Sequence, residues 1–251
     1  MRYMVIIIAA FFLFFPATNL WGSAEDDFAS GVKAYNAGDY EQALDIFGGL
    51  EDSGYVSPEL YYNLGNSYYK SGLKGMAVAS YMQAGRLAPR DEDTKANLRF
   101  VQGTLRDKVE DSLQNPIWRF AKESSLYFKA NELTWIAFVI YLIIIVMLIY
   151  QVFYKQKNLA FLIILFFAVF LLIISGTMLG INLQLNYYTE RGVITDPEVE
   201  ILAGPGAISE VRFTAHEGLT FRILDQESGY YEGIFANKLK GWIEISKAYQ
   251  F

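Results

Sequence analysis

The sequence predicts a multidomain membrane protein with an all-α helical repeat, a two-helix transmembrane hairpin and a small all-β barrel. Three observations support this fold class. Two long apolar blocks without a single charged residue occupy positions 133–154 and 159–183. Before them, glycine, alanine and aromatic residues recur at a constant spacing. After them, short segments of alternating polar and apolar residues are separated by turn residues, as is typical of a small β-domain.

Composition narrows the functional classes. The 251 residues are 53% hydrophobic and only 19% charged, whereas soluble domains carry about 25% charge. The absence of cysteine and the single histidine, His216, exclude disulfides, thiol nucleophiles and the usual zinc and triad arrangements. No nucleotide-binding loop, nucleophile elbow or zinc-protease motif occurs. We therefore expect no enzyme, no cofactor and no metal site, and we expect His216 to have a structural role.

The two apolar blocks are each long enough for a membrane helix, which needs about 20 apolar residues. The link at 155–158, Lys-Gln-Lys-Asn, predicts a tight hairpin with a cytoplasmic turn. Neither block holds an ionisable residue, which argues against a transporter. Residues 1–24 combine Arg2, an apolar run and small residues before Ala24, as in a secretory signal peptide; an uncleaved signal anchor is the alternative.

That export signal, rather than the two lysines, sets the predicted topology. Both readings of it place the following segment outside the cytoplasm. We expect a protein of the bacterial inner membrane with both soluble domains on the periplasmic side.

Residues 25–114 contain an internal repeat, because 24–57 can be laid over 58–91 without a gap. The coinciding pairs are Gly31 with Gly65, Tyr35 with Tyr69, Gly38 with Gly72, Ala43 with Ala77, and Phe47 with Tyr81. This pattern resembles the tetratricopeptide repeat, a helix–turn–helix unit of about 34 residues. The second copy matches that family closely, and the first is degenerate. An amphipathic capping helix is predicted over 91–113.

The tetratricopeptide resemblance implies a concave groove that binds an extended peptide. The matching residues are Phe28, Val32, Tyr35, Asn36, Tyr62, Asn66, Tyr69 and Lys70. The alternative is that Tyr62 and Tyr69 pack against a neighbouring helix of the same chain. Acidic side chains outnumber basic ones in this part of the sequence, which argues against nucleic acid as a partner.

Two further features lie near the apolar blocks. The juxtamembrane segment 115–132 mixes aromatic and basic residues, which predicts an amphipathic helix along the outer headgroup region. Gly176 and Gly180 in the second block form a G-x-x-x-G pattern, which allows close approach of two helices. Packing against the first block and dimerisation are both compatible with this helix-packing pattern.

Residues 190–251 resemble a bacterial SH3 domain of five or six short strands. The landmarks are Gly204-Pro205, the His216-Glu217-Gly218 turn, the Ser228-Gly229 hairpin and the closing Gly241-Trp242. The resemblance implies a surface for cell-wall peptides or proteins, for which the candidates are Tyr230, Tyr231 and Trp242. Core packing is the alternative for Trp242.

The order of these parts resembles the E-type protein family of the Bacteroides aerotolerance operon over essentially the whole chain. The resemblance implies von Willebrand A-domain membrane proteins and a further repeat protein as partners, an AAA+ ATPase from the same operon type, and a link to oxidative or envelope stress. The leading hypothesis is a membrane-anchored periplasmic scaffold for protein–protein interactions. The alternatives are a cell-wall sensor that binds peptidoglycan through the SH3 domain and a regulatory subunit of a membrane enzyme.

Overall fold

The computed structural model describes residues 20–107, 115–154, 158–235 and 238–251. Most of the predicted signal peptide, 1–19, and most of the predicted cytoplasmic turn, 155–157, lie outside the described residues. The chain divides into two compact units, the first ending at Val56 and the second beginning at Ser57. The two units are described separately below.

The described residues form eight α-helices and seven β-strands. The helices are α1 (Leu20–Asn36), α2 (Tyr40–Asp52), α3 (Pro58–Lys70), α4 (Lys74–Leu87), α5 (Glu92–Gly103), α6 (Pro116–Tyr127), α7 (Ala130–Tyr154) and α8 (Leu159–Asn186). The strands are β1 (Arg191–Ile194), β2 (Glu198–Leu202), β3 (Val211–His216), β4 (Thr220–Glu227), β5 (Tyr230–Ile234), β6 (Lys240–Glu244) and β7 (Ala248–Gln250).

The first unit is the helix pair α1–α2. Its turn contains Gly38 at φ +83°, a conformation that favours glycine, and the Asp39 side chain then caps α2 by accepting from the Gln42 N–H. Gly31 lies directly under the Phe47 ring, because a Cβ at Gly31 would be 2.5 Å from that ring. The repeat glycine is therefore required by close helix contact. Helix α1 runs through Ala24 without interruption.

The second unit begins with the equivalent pair α3–α4. Ser57 caps α3 by accepting from the Leu60 N–H, and Pro58 occupies the first turn of that helix. Gly65 again lies under an aromatic ring, since its Cβ would be 2.7 Å from Tyr81. The helix crossing therefore has the same construction in both pairs.

Helix α5 packs on α4 but is shorter than the predicted capping helix. The prediction covered 91–113, whereas α5 ends at Gly103, and 108–113 lie outside the described residues. Leu105, just beyond the helix, is buried. Its side chain lies over Gly218, where a Cβ would be 2.5 Å from a Leu105 methyl group. Leu105 is therefore buried by its contact with the turn between β3 and β4. The predicted capping helix had included this residue in its apolar face.

Helices α7 and α8 are long and apolar enough to cross a membrane, and they pack against each other. Most of their large apolar side chains are exposed. Helix α6 is fixed to α8 by buried polar contacts: the Ser125 hydroxyl donates to the Met178 carbonyl oxygen at 2.6 Å, and the Asn182 amide donates to the carbonyl oxygens of Ser125 and Phe128 at 2.9 Å. The amphipathic segment is therefore partly held by protein contacts.

The C-terminal strands form one open antiparallel sheet in the order β3-β2-β6-β5-β4-β1-β7. A helical protein with two long apolar helices and a separate antiparallel sheet confirms the predicted fold class at that level. The sheet has seven strands rather than five or six, and hydrogen bonding between the described strands does not close a barrel. Its core includes Ile194, Ile201, Phe221, Phe235 and Ile243.

A second core lies where the helices of the second unit meet the sheet. Its buried members come from α4, from Val101 and Leu105, and from Val193 on β1. Tyr249 and Phe251 are packed against it and are partly buried. Since these residues form one apolar cluster, α4, α5 and the sheet edge are stabilised by burying the same surface.

Candidate functional site

The first unit contains four of the predicted groove residues, all on α1. Phe28 packs against Phe47, with ring centroids 5.6 Å apart, and Tyr35 packs against Tyr40 at 5.4 Å. Val32 is half-buried and Asn36 is exposed. The two aromatic residues therefore contribute to packing within the α1–α2 pair, and the Asn36 amide is the most accessible polar group of the four.

In the second unit, Tyr62 and Asn66 contact α5 and α4. The Tyr81 hydroxyl donates to Asn66 Oδ1 at 2.6 Å, and the Asn97 amide donates to the same oxygen at 3.1 Å. The Asn97 amide also donates to the Tyr62 hydroxyl at 3.2 Å. These bonds connect three helices through one half-buried polar network, in which each member is already paired.

Tyr69 is also engaged within the chain, whereas Lys70 is free of such packing. The Tyr69 ring meets the Phe100 ring of α5 edge-on at 5.6 Å and borders the core shared with the sheet. Lys70 is exposed at the end of α3. Tyr62 and Tyr69 therefore pack against a neighbouring helix of the same chain, which was the alternative to a peptide-binding role. Asn66 makes contacts of the same kind. Of the four predicted residues here, Lys70 remains open to a partner.

The sheet separates the three aromatic residues predicted for a ligand surface. Tyr231 is buried in the core of the sheet, and its hydroxyl donates to Gln250 Oε1 at 3.0 Å. Its assignment to a ligand surface is therefore wrong. Tyr230 and Trp242 are half-buried and share the opposite face of neighbouring strands, because Trp242 pairs with Glu232 and Tyr230 with Glu244.

Gly176 and Gly180 do not pack against α7. Both are exposed on α8, and a Cβ at either position would meet no atom within 4 Å. Contact between α7 and α8 therefore uses other residues. Of the two interpretations of the G-x-x-x-G pattern, the structure excludes packing against the first apolar helix through these glycines.

His216 joins the sheet to the segment after α5. Asp107 accepts from the His216 backbone N–H at 2.7 Å, and its other carboxylate oxygen lies 2.9 Å from the histidine Nδ1. Glu198 Oε2 lies 3.9 Å from Nε2. The geometry is that of a half-buried structural contact between helix and sheet, in agreement with the role expected from the turn sequence.

The same junction contains a contact between Gly75 and Glu217 that no motif in the sequence predicts. The Gly75 N–H donates to Glu217 Oε1 at 2.9 Å, and a Cβ at Gly75 would lie 2.4 Å from the Ile194 carbonyl oxygen. The available signal was the second copy itself, in which Gly75 stands where the first copy has Glu41. Glycine at this position, the second residue of α4, leaves room for the close approach of the Ile194 carbonyl oxygen.

Among the described residues, no group of three or more histidine, aspartate or glutamate side chains is arranged to hold a metal ion. Comparison with known proteins finds neither a matching family model nor a curated protein of significant similarity. The molecule is therefore described by its architecture and by the surfaces above. It combines repeat-like helix pairs and an antiparallel sheet with two helices that could cross a membrane.

Proposed function

We propose that this protein is a membrane-anchored scaffold that binds other proteins. The observation that carries the proposal is that α7 and α8, with their exposed apolar surfaces, belong to the same chain as the repeat-like pairs α1–α2 and α3–α4. Stacked helix pairs of this type present extended surfaces to partners. Anchoring with presentation is the function that such a combination supports best.

The proposed location is the periplasmic face of a bacterial inner membrane, in a complex concerned with aerotolerance or envelope stress. The resemblance of the domain order supports this location and supports von Willebrand A-domain proteins and a second repeat protein as partners. A reporter that is active only in the cytoplasm, fused after Phe251, tests the sidedness. Silence is expected, and strong activity would place the sheet in the cytoplasm and overturn the proposed topology.

The proposed binding residues are the predicted groove residues that remain accessible, taken separately in each unit. In the first unit the exposed Asn36 offers an amide, and in the second unit the exposed Lys70 offers an ammonium group. Such groups suit the backbone and acidic side chains of an extended peptide. Within the second unit, α3 is fixed to α5 by the contacts of Tyr62, Asn66 and Tyr69, which hold the surface around Lys70 in place.

Co-purification of the full chain from bacterial membranes in mild detergent tests the scaffold. The informative variant is Lys70→Glu, because it reverses an exposed charge without removing a packing contact. Arg99→Glu is the matched control: Arg99 is also an exposed basic residue of the second unit, on α5, about 160° around that helix from Asn97. We expect Lys70→Glu to lose partners that the control retains.

Retention of every partner by Lys70→Glu would exclude this residue and the proposed peptide surface around it. Failure of the unaltered protein to retain any protein would overturn the scaffold proposal itself. Tyr62→Ala and Tyr69→Ala are less informative, because both remove contacts with α5 and would change stability together with binding.

The second candidate function is a cell-wall sensor. Tyr230 and Trp242 favour it, because they lie on one outward face of the sheet and are only half-buried. Retention of the full chain on isolated peptidoglycan, with loss in Trp242→Ala but not in Trp118→Ala, would support the sensor. Trp118 is an exposed tryptophan of α6 outside the sheet. No retention, or equal retention of both variants, would exclude this surface.

A further inference from the structure

A cavity of about 480 Å³ lies between the helices of the second unit and the edge of the sheet. Its walls come from α4, α5 and α6, from the end of α8, and from β1. The residues used below are Met82, Arg86, Leu126, Leu185, Arg191 and Phe251. This cavity has no part in the proposed peptide surface, and its lining combines apolar side chains with two arginines.

The two arginines stand close to the end of α8 without a carboxylate partner among the described residues. Arg191 Nη2 donates to the Leu185 carbonyl oxygen at 3.1 Å, and Arg86 Nη1 donates to the Asn186 carbonyl oxygen at 3.2 Å. Burial lowers the pKa of Arg191, and the positive charge of Arg86 lowers it further. Two like charges are therefore held near one another, and the one on Arg191 is partly buried.

The other charged side chains of the lining are Lys95 and Glu123, and each has an oppositely charged neighbour on its own helix. Lys95 forms an ion pair with Glu92 at 2.9 Å, and Glu123 lies 3.9 Å from Arg119. The lining therefore carries three basic side chains, of Arg86, Lys95 and Arg191, against the one acidic side chain of Glu123. The two arginines also contact helix carbonyls, which carry about half a unit of negative charge at a helix end. A cavity with this balance attracts an anion.

The chemistry of the lining narrows the anion. A guanidinium presents a planar fork of N–H donors that matches phosphate oxygens, and two such groups together are typical of phosphate recognition. The remaining walls include Met82, Leu126, Leu185 and Phe251, which would favour an apolar group attached to the phosphate. The cavity therefore suits a phosphate ester with an apolar part.

The position of the cavity identifies the source of such a ligand. Leu185 and Asn186 form the end of the second apolar helix, which in a membrane lies near the level of the lipid headgroups. We propose that this cavity binds the phosphate group of an anionic phospholipid, with Arg86 and Arg191 as its ligands and the apolar walls against the acyl chains. The proposal rests on the membrane anchoring proposed above and goes beyond the scaffold.

Isothermal titration of the purified full chain in detergent tests the site. The probes are dihexanoyl phosphatidylglycerol and dihexanoyl phosphatidylcholine, both below their critical micelle concentrations, and inorganic phosphate. We expect phosphatidylglycerol to bind more tightly than both other probes. Arg86→Gln and Arg191→Lys should each weaken it about tenfold, the usual effect of losing one charged hydrogen bond. Arg212→Gln should have no effect.

Arg212 is a suitable control because it is exposed on β3, at the edge of the sheet opposite the β1–β7 edge, and does not line the cavity. Arg86 is also exposed, so Arg86→Gln tests the site even if a change at the more buried Arg191 disturbs the fold. Arg191→Lys keeps the charge and removes the fork, so it tests the geometry of phosphate recognition.

Three results would overturn the proposal. Equal binding of phosphatidylglycerol and phosphatidylcholine would show that the net negative charge is not recognised. Equal effects of Arg86→Gln and Arg212→Gln would show that the lipid binds elsewhere. Binding of inorganic phosphate as tight as that of phosphatidylglycerol would make a soluble phosphate compound the ligand. Recovery of the protein in the soluble fraction of cells would instead overturn the anchoring, and titration of the purified chain distinguishes the two failures.

Discussion

The two helix pairs α1–α2 and α3–α4 follow one sequence pattern and use it in the same way where their helices cross. Ala43 and Ala77 are both completely buried. The glycine of each first helix lies under an aromatic ring of the second, at 2.5 Å for Gly31 and 2.7 Å for Gly65 measured from an added Cβ. Both crossings are thus too close for any side chain larger than hydrogen.

The pairs differ where the second one meets other elements of its unit. Phe47 in the first pair corresponds to Tyr81, whose hydroxyl donates to Asn66. Glu41 corresponds to Gly75, which contacts β1 and Glu217. The residues that the two copies share therefore make the contact between the two helices of a pair. The residues that differ between the copies contact other elements around each pair.

The largest effect is expected when the aromatic ring of either crossing is removed. Phe47→Ala and Tyr81→Ala should each lower the free energy of unfolding by about 3–5 kcal/mol, as for other buried aromatic residues. Hydrogen exchange should rise in α1 and α2 for the first variant. For the second it should rise in α4 and also in β1, because Tyr81 and Val193 belong to one core cluster. Unchanged protection of β1 would contradict the shared core.

Gly75→Ala tests the departure at the helix–sheet contact. The added methyl group would meet the Ile194 carbonyl oxygen, a backbone atom that cannot move alone. We expect a loss of about 1–3 kcal/mol, as for overpacked sites, measured by chemical denaturation. Gly85→Ala is the control in the same helix, where the nearest atom lies at 4.0 Å. That change should stabilise the helix slightly, and a similar gain at Gly75 would contradict the close contact.

Tyr81→Phe makes the second pair resemble the first at the ring position. The change removes the hydroxyl that donates to Asn66 and leaves the ring in place, so we expect a loss of about 1 kcal/mol. Tyr40→Phe serves as the control, because the Tyr40 ring packs on Tyr35. Equal thermal shifts in the two variants would show that the network around Asn66 contributes little.

The smallest effect is expected at the start of α4. Asp39 and Leu73 precede the second helices with nearly the same backbone, φ −87° and ψ 77° against φ −85° and ψ 73°. Asp39 caps its helix, whereas Leu73 provides no side-chain bond. Leu73→Asp should therefore raise stability by roughly 0.5 kcal/mol, the low end for an N-cap. Thermal denaturation with Asp39→Ala as the reciprocal change measures it; destabilisation by Leu73→Asp would show that Leu73 has a packing role.

Local patterns were sufficient to predict the helix pairs and the two apolar helices. The spacing of Gly31, Gly65 and their aromatic partners depends on helix geometry alone, and the apolar blocks depend on length and composition. The sheet was predicted with less detail, because alternation marks strands but not their partners. Tyr230 and Tyr231 are adjacent tyrosines, and only the pairing of β5 with β6 decides which one is buried.

The junction between helices and sheet could not be predicted in the same way. Gly75 and Glu217 are 142 positions apart, and neither residue carries a local signal for the other. Arg86 and Arg191 are likewise distant in sequence and become neighbours only through the fold. No sequence motif therefore predicts the cavity that they share, because its lining residues come from separate segments of the chain.

Tyr249 and Phe251 pack against the core shared by α4 and α5, so this core can finish folding only after the last residues of the sequence have been synthesised. A ribosome completes α4 long before it reaches these two residues, and both apolar helices must be made in between. During that interval Tyr81, Val101 and their neighbours lack part of their final cover. The apolar surface of this core is therefore completed only when the residues of β7 and Phe251 have been made and have packed against it.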